Sequence, residues 1–504
     1  MNNRLRNIFL VSGSTVLSRI SGFARDALFA GIFGISDIGS AFLFAFTVPN
    51  LFRRLLGEGA LSSAVIPILS KLYATKGPTA VLSLLKTVIA KLLIVLTAMT
   101  ATGCAVFYLV TKCTCITEKW ALPAHFIVLL LPYMIFVCVA AIISAGLNVF
   151  DRFLAASLNA IWLNLCMIAS LVIGKFTLSL SGIALLDCLS LGVILGGIVQ
   201  CLVPFFALRR LGIRGDGLTH NAEINEILKL FWPGFLGAAV AQINLLISRN
   251  LAYVYCASAV SILYFANRVV ELPLGVFGIA IATVIFPDMS KLATDEHSRN
   301  ELNRAFNHGI FTLLWILLPS AVGLYLIRRE LLNVFFEWGI FGSGDTAKTV
   351  PILAIYCLSI PFLGISNFLI RSFHALKDTK TPAKIGLYIL AMNFALTITL
   401  MYPFGVEGMA AATTLSLIIQ TVMLYHKLCT QNSVFRLNIG TCKLLGMVLG
   451  LIAVCLCVKL GQSITSKSLS YRQQSLRIIL IYAPLAAMSY VLISMLSIKS
   501  CKKQ

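Results

Sequence analysis

Arg19, Arg25 and Asp26 interrupt the first long apolar run of the chain, and Asn50, Arg53, Arg54 and Glu58 interrupt the second. A charge held mid-bilayer costs roughly 2.5–3.5 kcal/mol on insertion scales, so charges in such runs face protein or a wet cavity and usually serve a function there. Arg19 and Asp26 are about two helical turns apart and share a face, and Gly22 between them leaves room on it. Cations outnumber anions across both runs, which points to anion binding inside a membrane. A third group stands in Asn267-Arg268-Val-Val-Glu271-Leu-Pro273. Arg268 and Glu271 are one turn apart, close enough to pair. Pro273 bends the helix beside them, and Pro49 stands in a similar relation to Arg53.

A diphosphate is the anion that suits these residues. Arginine's planar fork donates two parallel hydrogen bonds to a phosphate and stays charged when desolvated. Several arginines from both halves of the chain fit that group better than they fit a cationic drug. Each arginine also has a plain structural reading, as an internal ion pair with Asp26, Glu58 or Glu271. Four arginines (Arg19, Arg25, Arg53, Arg268) against three acids leave positive charge over. For Arg25, both substrate contact and pairing with adjacent Asp26 stand. Arg54 reads as snorkelling to an interface, Arg249 stays open, and Asp187 reads as a satisfied polar residue.

The surroundings of these residues are those of a polytopic helical membrane protein. The 504 residues are 59% hydrophobic and 12% charged, with mean hydropathy +0.93. A soluble domain is roughly a quarter charged, and a membrane barrel would show ~10-residue alternation. The net charge of +21 does not indicate nucleic acid, because Lys and Arg cluster in short loops on alternate sides of the spans. Runs of ~17–25 apolar residues cross a bilayer. About fourteen are expected, at 8–33, 38–62, 81–110, 121–147, 156–175, 182–208, 228–256, 260–287, 305–327, 349–372, 383–402, 406–426, 441–460 and 476–498. With an uncleaved first span starting in the cytoplasm, about 22 basic residues fall inside and about 9 outside, which supports both termini being cytoplasmic.

The fourteen Cys read as small buried apolar residues, because none has His at ligand spacing. The sequence carries no metal or cofactor motif, no phosphate-binding Gly-rich loop and no nucleophile elbow. Val65-Ile-Pro67-Ile-Leu-Ser70-Lys71-Leu72 recurs as Ile285-Phe-Pro287-Asp-Met-Ser290-Lys291-Leu292. Gly182, Ala184 and Leu189-Ser190-Leu191 recur as Gly408, Ala410 and Leu415-Ser416-Leu417. Matches six spans apart imply parallel repeats with a substrate site at their interface. The expected fold is all-α, with two pseudo-symmetric six-helix lobes, 1–215 and 216–432. An added helix pair and basic tail follow at 433–504.

Ser18-Arg19-Ile-Ser-Gly22-Phe-Ala-Arg25-Asp26 and Pro49-Asn50-Leu-Phe-Arg53-Arg54-Leu-Leu-Gly-Glu58-Gly59-Ala60 resemble the first two helices of the MurJ (MviN) lipid II flippase family. That family lies in the multidrug/oligosaccharidyl-lipid/polysaccharide exporter superfamily. Glu271-Leu-Pro273-Leu-Gly275-Val-Phe-Gly278, Asp378-Thr-Lys-Thr-Pro382 and Gly405-Val-Glu-Gly408-Met-Ala extend the similarity over about residues 8 to 430. Spans 13 and 14 match only in hydrophobicity and position.

The resemblance implies two six-helix lobes facing each other in a V, plus two helices forming a groove for a lipid tail. It implies alternating-access transport, and no enzyme, of undecaprenyl-diphosphate-linked disaccharide-pentapeptide (lipid II) to the outer leaflet of the bacterial inner membrane. Cell-wall synthesis or division machinery would be partners. Arg19, Arg25, Arg53 and Arg268 match the family's cavity arginines, and Glu58 and Glu271 its acids; Asp26 would support them. Two positions depart from the pattern: Ser40 and Asn267 stand where the family usually has Asp, which makes the cavity more positive. The rival readings are a flippase for another polyprenyl-diphosphate-linked glycan, a drug or cation antiporter, a membrane enzyme acting on the same lipid, and a non-transporting scaffold. An antiporter would want acids in its cavity. Glu330, Glu337 and Asp345 do not form an enzyme's catalytic set.

Overall fold

A computed structural model of the chain describes residues 3–57, 60–112, 118–213, 221–275, 289, 291–292, 299–432, 434–438, 440–465 and 470–500. Every regular element among these residues is helical. Nine stretches among them are long and apolar enough to cross a membrane. Two of the nine exceed a single crossing. Asp37–Lys112, 76 residues, would run for about 114 Å as one straight helix at 1.5 Å per residue, against a hydrocarbon core of ~30 Å. It breaks at Gly77, whose φ of 81° and ψ of −175° lie in a region essentially reserved for glycine. Lys380–Gln431, 52 residues, breaks likewise at Gly405 with φ 59°.

Two compact units divide the chain. The first comprises α1 (Asn3–Phe33) as far as Phe29, α2 (Asp37–Phe52), α3 (Ala60–Lys112), α4 (Glu118–Leu130), α5 (Tyr133–Val149), α6 (Phe153–Ser157), α7 (Asn159–Val172), α8 (Gly182–Arg209), α9 (Asn221–Tyr255) and the start of α10 (Ala257–Pro273). Phe42 of α2 stacks on Phe29 of α1, with ring centres 5.8 Å apart, and meets Phe126 of α4 edge-on at 5.7 Å. In lipid, helices associate through close van der Waals contact at small residues. Gly192 of α8 serves this purpose: a methyl there would sit 2.1 Å from Ser170 Oγ of α7.

The repeats read in the sequence lead to an expected lobe boundary at 215/216; the compact units divide after Ser261. The helix between those points, α9, packs on α3 and α2. Its Ile224 and Ile227 join a core with Leu69, Leu72, Val81 and Leu85 of α3, and Lys76 Nζ meets Glu223 Oε1 at 3.1 Å.

The second unit takes Ala30–Gly34 and everything from Ile262 onward. Its helices are the remainder of α10, α11 (Arg299–Leu326), α12 (Arg328–Phe335), α13 (Ser343–Ala375), α14 (Lys380–Gln431), α15 (Thr441–Ile464), α16 (Tyr471–Arg477) and α17 (Ala483–Ser500). The α15 and α17 helices pack tightly through glycines: a methyl on Gly450 would sit 2.6 Å from the Tyr490 ring. The outer face of the pair is leucine, with Leu445, Leu456, Leu460, Leu492 and Leu496 all exposed. A helix apolar on every face belongs in lipid.

Candidate functional site

The charged residues of α1 divide into two environments. Arg25 and Asp26 are 7% and 3% exposed. Arg25 Nε and Nη2 both donate to Asp26 Oδ1, at 2.9 and 2.7 Å. Arg25 Nη1 donates to Asn164 Oδ1 of α7 at 3.0 Å. Asn164 in turn donates from Nδ2 to Ser18 O at 3.2 Å and Ser21 Oγ at 3.0 Å. The ion pair is thus neutral, satisfied and internal. The room that Gly22 leaves on α1 is taken by this asparagine, whose Nδ2 lies 3.3 Å from where a methyl on Gly22 would be. Asp26, which helical spacing puts on Arg19's face, is engaged by its neighbour Arg25.

Arg19 is half-buried, and its Nε is buried with no hydrogen-bond partner among the described residues. A buried unsatisfied donor costs about 1–3 kcal/mol, more for a charged group, unless something accepts from it. Arg19 thus carries buried donor capacity that the described residues leave unmet.

Arg53 opens a π-helical turn, Arg53–Gly57, that follows α2 directly. Pro49 lies one turn upstream and supplies no N–H to the helical ladder. Such wide turns recur at functional sites. Arg53 Nε donates to Asn50 Oδ1 at 3.1 Å, and Asn50 Nδ2 donates to Phe46 O at 3.0 Å, so a neutral amide orients the guanidinium. Glu58 lies outside the described residues.

In the second unit, Arg268 Nη1 donates to Glu271 Oε2 at 2.7 Å and Nη2 to Tyr264 Oη at 2.8 Å. The guanidinium lies 4.8 Å from the centre of the Tyr264 ring, a cation–π distance. Asn267 Nδ2 donates to Glu271 Oε1 at 2.8 Å. Glu271 is thereby held by two partners on one face of α10, and the Arg268 side chain stays 30% exposed. Asn267 holds the acid in place. Ser40, at the other departure from the family pattern, is fully buried with its Oγ 2.6 Å from Ser261 Oγ; it joins α2 to α10.

Sequence reasoning missed two groups and left a third open. Asn164 is the hub of the Arg25 cluster, and its only signal was an amide inside an apolar span. Tyr264 stands one turn before Arg268, a spacing that would have shown it. Arg249 of α9, left open above, donates from Nη1 to Leu43 O at 3.2 Å and to Thr47 Oγ1, both on α2. Asp187 of α8, read as a satisfied polar residue, meets His125 Nε2 of α4 at 2.8 Å. Glu330 accepts from Gln462 Nε2 at 2.8 Å and Glu337 from Thr346 Oγ1 at 2.7 Å; both are structural contacts.

The sequence model of the family described as Lipid II flippase MurJ matches residues 29–480, which extends past residue 430, where the individually recognisable motifs end. A "Probable lipid II flippase MurJ" of Rhizobium meliloti is 31% identical over 428 residues, covering 83% of this chain and 79% of the relative. A "Lipid II flippase MurJ" of Burkholderia cenocepacia is 30% identical over 402 residues, covering 78% and 77%. Among solved structures, "Lipid II flippase MurJ, inward closed conformation" matches with TM-score 0.79 and 26% identity, covering 98% of this chain and 99% of that one. A multidrug resistance MATE family transporter of the MOP superfamily matches with TM-score 0.68 at 13% identity, which is a likeness of fold alone.

Proposed function

The chain belongs to the lipid II flippase MurJ family, whose members are transporters rather than enzymes, and on that premise we propose how it handles its cargo. It carries lipid II, the undecaprenyl-diphosphate-linked disaccharide-pentapeptide, from the inner to the outer leaflet of the bacterial cytoplasmic membrane, with both of its own termini in the cytoplasm. Arg19, Arg53 and Arg268 donate to the diphosphate. The cycle exposes them first to one side of the membrane and then to the other, while the prenyl tail stays in lipid. The enzymes of cell-wall synthesis or division receive the product.

The observation that carries this reading is the buried Arg19 Nε without an acceptor among the described residues, since a dianionic headgroup supplies one. Arg53 is braced along one edge by Asn50. Arg268 is braced by Glu271 and Tyr264, and Asn267 steadies Glu271. Arg25, enclosed by Asp26 and Asn164, positions α1 against α7. Moving a charge through the membrane potential is worth ~2.3 kcal/mol per unit charge per 100 mV, enough to bias such a cycle.

The test is lipid II appearance in the outer leaflet of cells depleted of their own flippase and supplied with this chain, beside Arg19→Ala and Arg268→Ala at matched membrane levels. Loss of one charge-assisted bond, about 1.5–3 kcal/mol, corresponds to roughly a ten- to hundredfold slower transfer. Unchanged transfer by both variants would sink the arginine assignment. A properly inserted wild-type chain that transfers nothing would point instead to another polyprenyl-diphosphate-linked glycan.

A further inference from the structure

Within the second unit, at the end where α11 and α15 both begin, lies a pocket of about 320 Å³. Its lining includes two cations, Arg304 of α11 and Lys443 from the first turn of α15, with His308 of α11 beside them, and no Asp or Glu lines it. Among the described residues none of these three side chains is ion-paired. Lys443 Nζ rests 4.8 Å from the centre of the Phe311 ring, which orients the ammonium without neutralising it. The α15 N-terminus has Gly440 as its cap, with no side-chain cap hydrogen bond among the described residues, so its dipole adds to the positive field.

The walls are preformed. Asn307 Nδ2 donates to Arg436 O at 2.8 Å, and Asn307 Oδ1 accepts from Asn438 N at 2.7 Å. Asn303 Oδ1 accepts from Arg436 N at 3.1 Å. The segment before α15 is therefore stitched to α11 at three points. Phe306, between Asn303 and Asn307 on α11, packs on Phe435 of the same segment at 5.0 Å and on Phe368 at 5.8 Å, which adds an apolar anchor to the three hydrogen bonds. Leu437, just before α15, and Leu444, Leu445 and Val448 on α15 are all exposed, and the last three belong to the apolar outer surface of the α15 and α17 pair.

We propose that this pocket holds the phosphate of an anionic phospholipid in the leaflet at that end of the unit, with its acyl chains along the exposed leucines of α15. Unpaired cations at the mouth select the phosphate, and the apolar stripe that continues from them selects a lipid over a free ion. None of Arg19, Arg53 and Arg268 lines the pocket, and the proposal does not depend on which glycan the chain carries.

The experiment uses the full chain purified in detergent and titrated with phosphatidylglycerol or phosphatidylcholine, with bound lipid read by native mass spectrometry. The wild type retains phosphatidylglycerol in preference to phosphatidylcholine. R304Q/K443Q loses that preference by about tenfold or more, taking about fivefold for each basic side chain at a phosphate. R304K/K443R, which keeps both charges, retains it and so separates loss of charge from loss of fold. K384Q removes an exposed lysine of α14 outside the pocket and leaves the preference intact. Equal retention of the two lipids by the wild type would overturn the proposal, as would an equal loss in K384Q. So would displacement of phosphatidylglycerol by inorganic phosphate alone, which would make the pocket a simple anion site. Displacement by a polyprenyl diphosphate, one for one, would make it part of the cargo path and would also overturn it.

Discussion

Arg25 Nη1 donates to Asn164 Oδ1 at 3.0 Å across 139 residues of chain, and the rest of the same guanidinium closes on Asp26. One amide thus decides that Arg25 braces α1 instead of facing a ligand. Removing one member of a buried pair leaves an uncompensated charge and costs about 3–5 kcal/mol. Arg25→Ala is expected to lower the melting temperature sharply and to reduce the amount of monodisperse protein in detergent. Asn164→Ala costs less, about 1–3 kcal/mol for the donors and acceptors it strands. A folded Arg25→Ala chain with wild-type melting and no flipping would instead place Arg25 on the substrate.

Gly22 faces that asparagine. A methyl there comes 3.3 Å from Asn164 Nδ2, so Gly22→Ala is expected to cost little, through a shift of a few tenths of an ångström. Gly22→Val displaces the amide and costs about 1–3 kcal/mol, as overpacking does. Thermal unfolding of the two variants side by side checks the order; an equal effect from both would show that Asn164 moves freely.

Arg268 reaches two acceptors at once through its fork, Glu271 and Tyr264. Lysine has no such geometry. Arg268→Lys is therefore expected to slow lipid transfer by at least about tenfold while shifting melting little, because a part-exposed ion pair contributes roughly 0–1 kcal/mol. A large loss of stability with transfer unchanged would make the cluster purely structural. A cycle of Glu271→Gln and Tyr264→Phe, single and combined, apportions the two braces.

Asp378 lies outside the spans and caps α14: its Oδ1 accepts from Lys380 N and Thr381 N, both at 3.0 Å. Burial alone would raise its pKa. The Thr381 hydroxyl and backbone bonds, the Lys380 backbone bond and the Lys380 charge outweigh burial, and the net shift is downward. A depressed carboxyl stabilises the fold above its unfolded value, about 3.9, and loses that contribution as pH falls through the lower folded value. Asp378→Ala is expected to melt below wild type at neutral pH by a cap's worth, about 0.5–2 kcal/mol. The gap should close only below about pH 4. A gap that stays constant through acid would show that the carboxylate's charge has no part in the cap.

Much of this was legible along the chain. Charges inside apolar runs singled out Arg19, Arg25, Arg53 and Arg268 as candidates, and one-turn spacing paired Arg268 with Glu271. Membrane class, helical content and family follow from composition and motifs, because a bilayer admits few structures whose backbone polar groups are all satisfied. The breaks at Gly77 and Gly405 separate arms that the apolar pattern already divided. What could not be read was which of several neighbouring partners each charge takes. Spacing on α1 allowed Asp26 to face Arg19, and only the approach of α7 shows that Arg25 takes it.

The sequence by itself therefore determined that this protein is a helical membrane transporter of the flippase family with unbalanced arginines in its first helices. Tertiary structure alone decided which of those arginines are satisfied within their own unit, that Asn164 fills the space beside Gly22, and that Arg304, His308 and Lys443 meet at one pocket. The reason is physical. Hydropathy and helical period are local properties, set within a few turns of chain. Desolvation and hydrogen-bond satisfaction depend on which distant side chain arrives, and in the Arg25 cluster that side chain is 139 residues away.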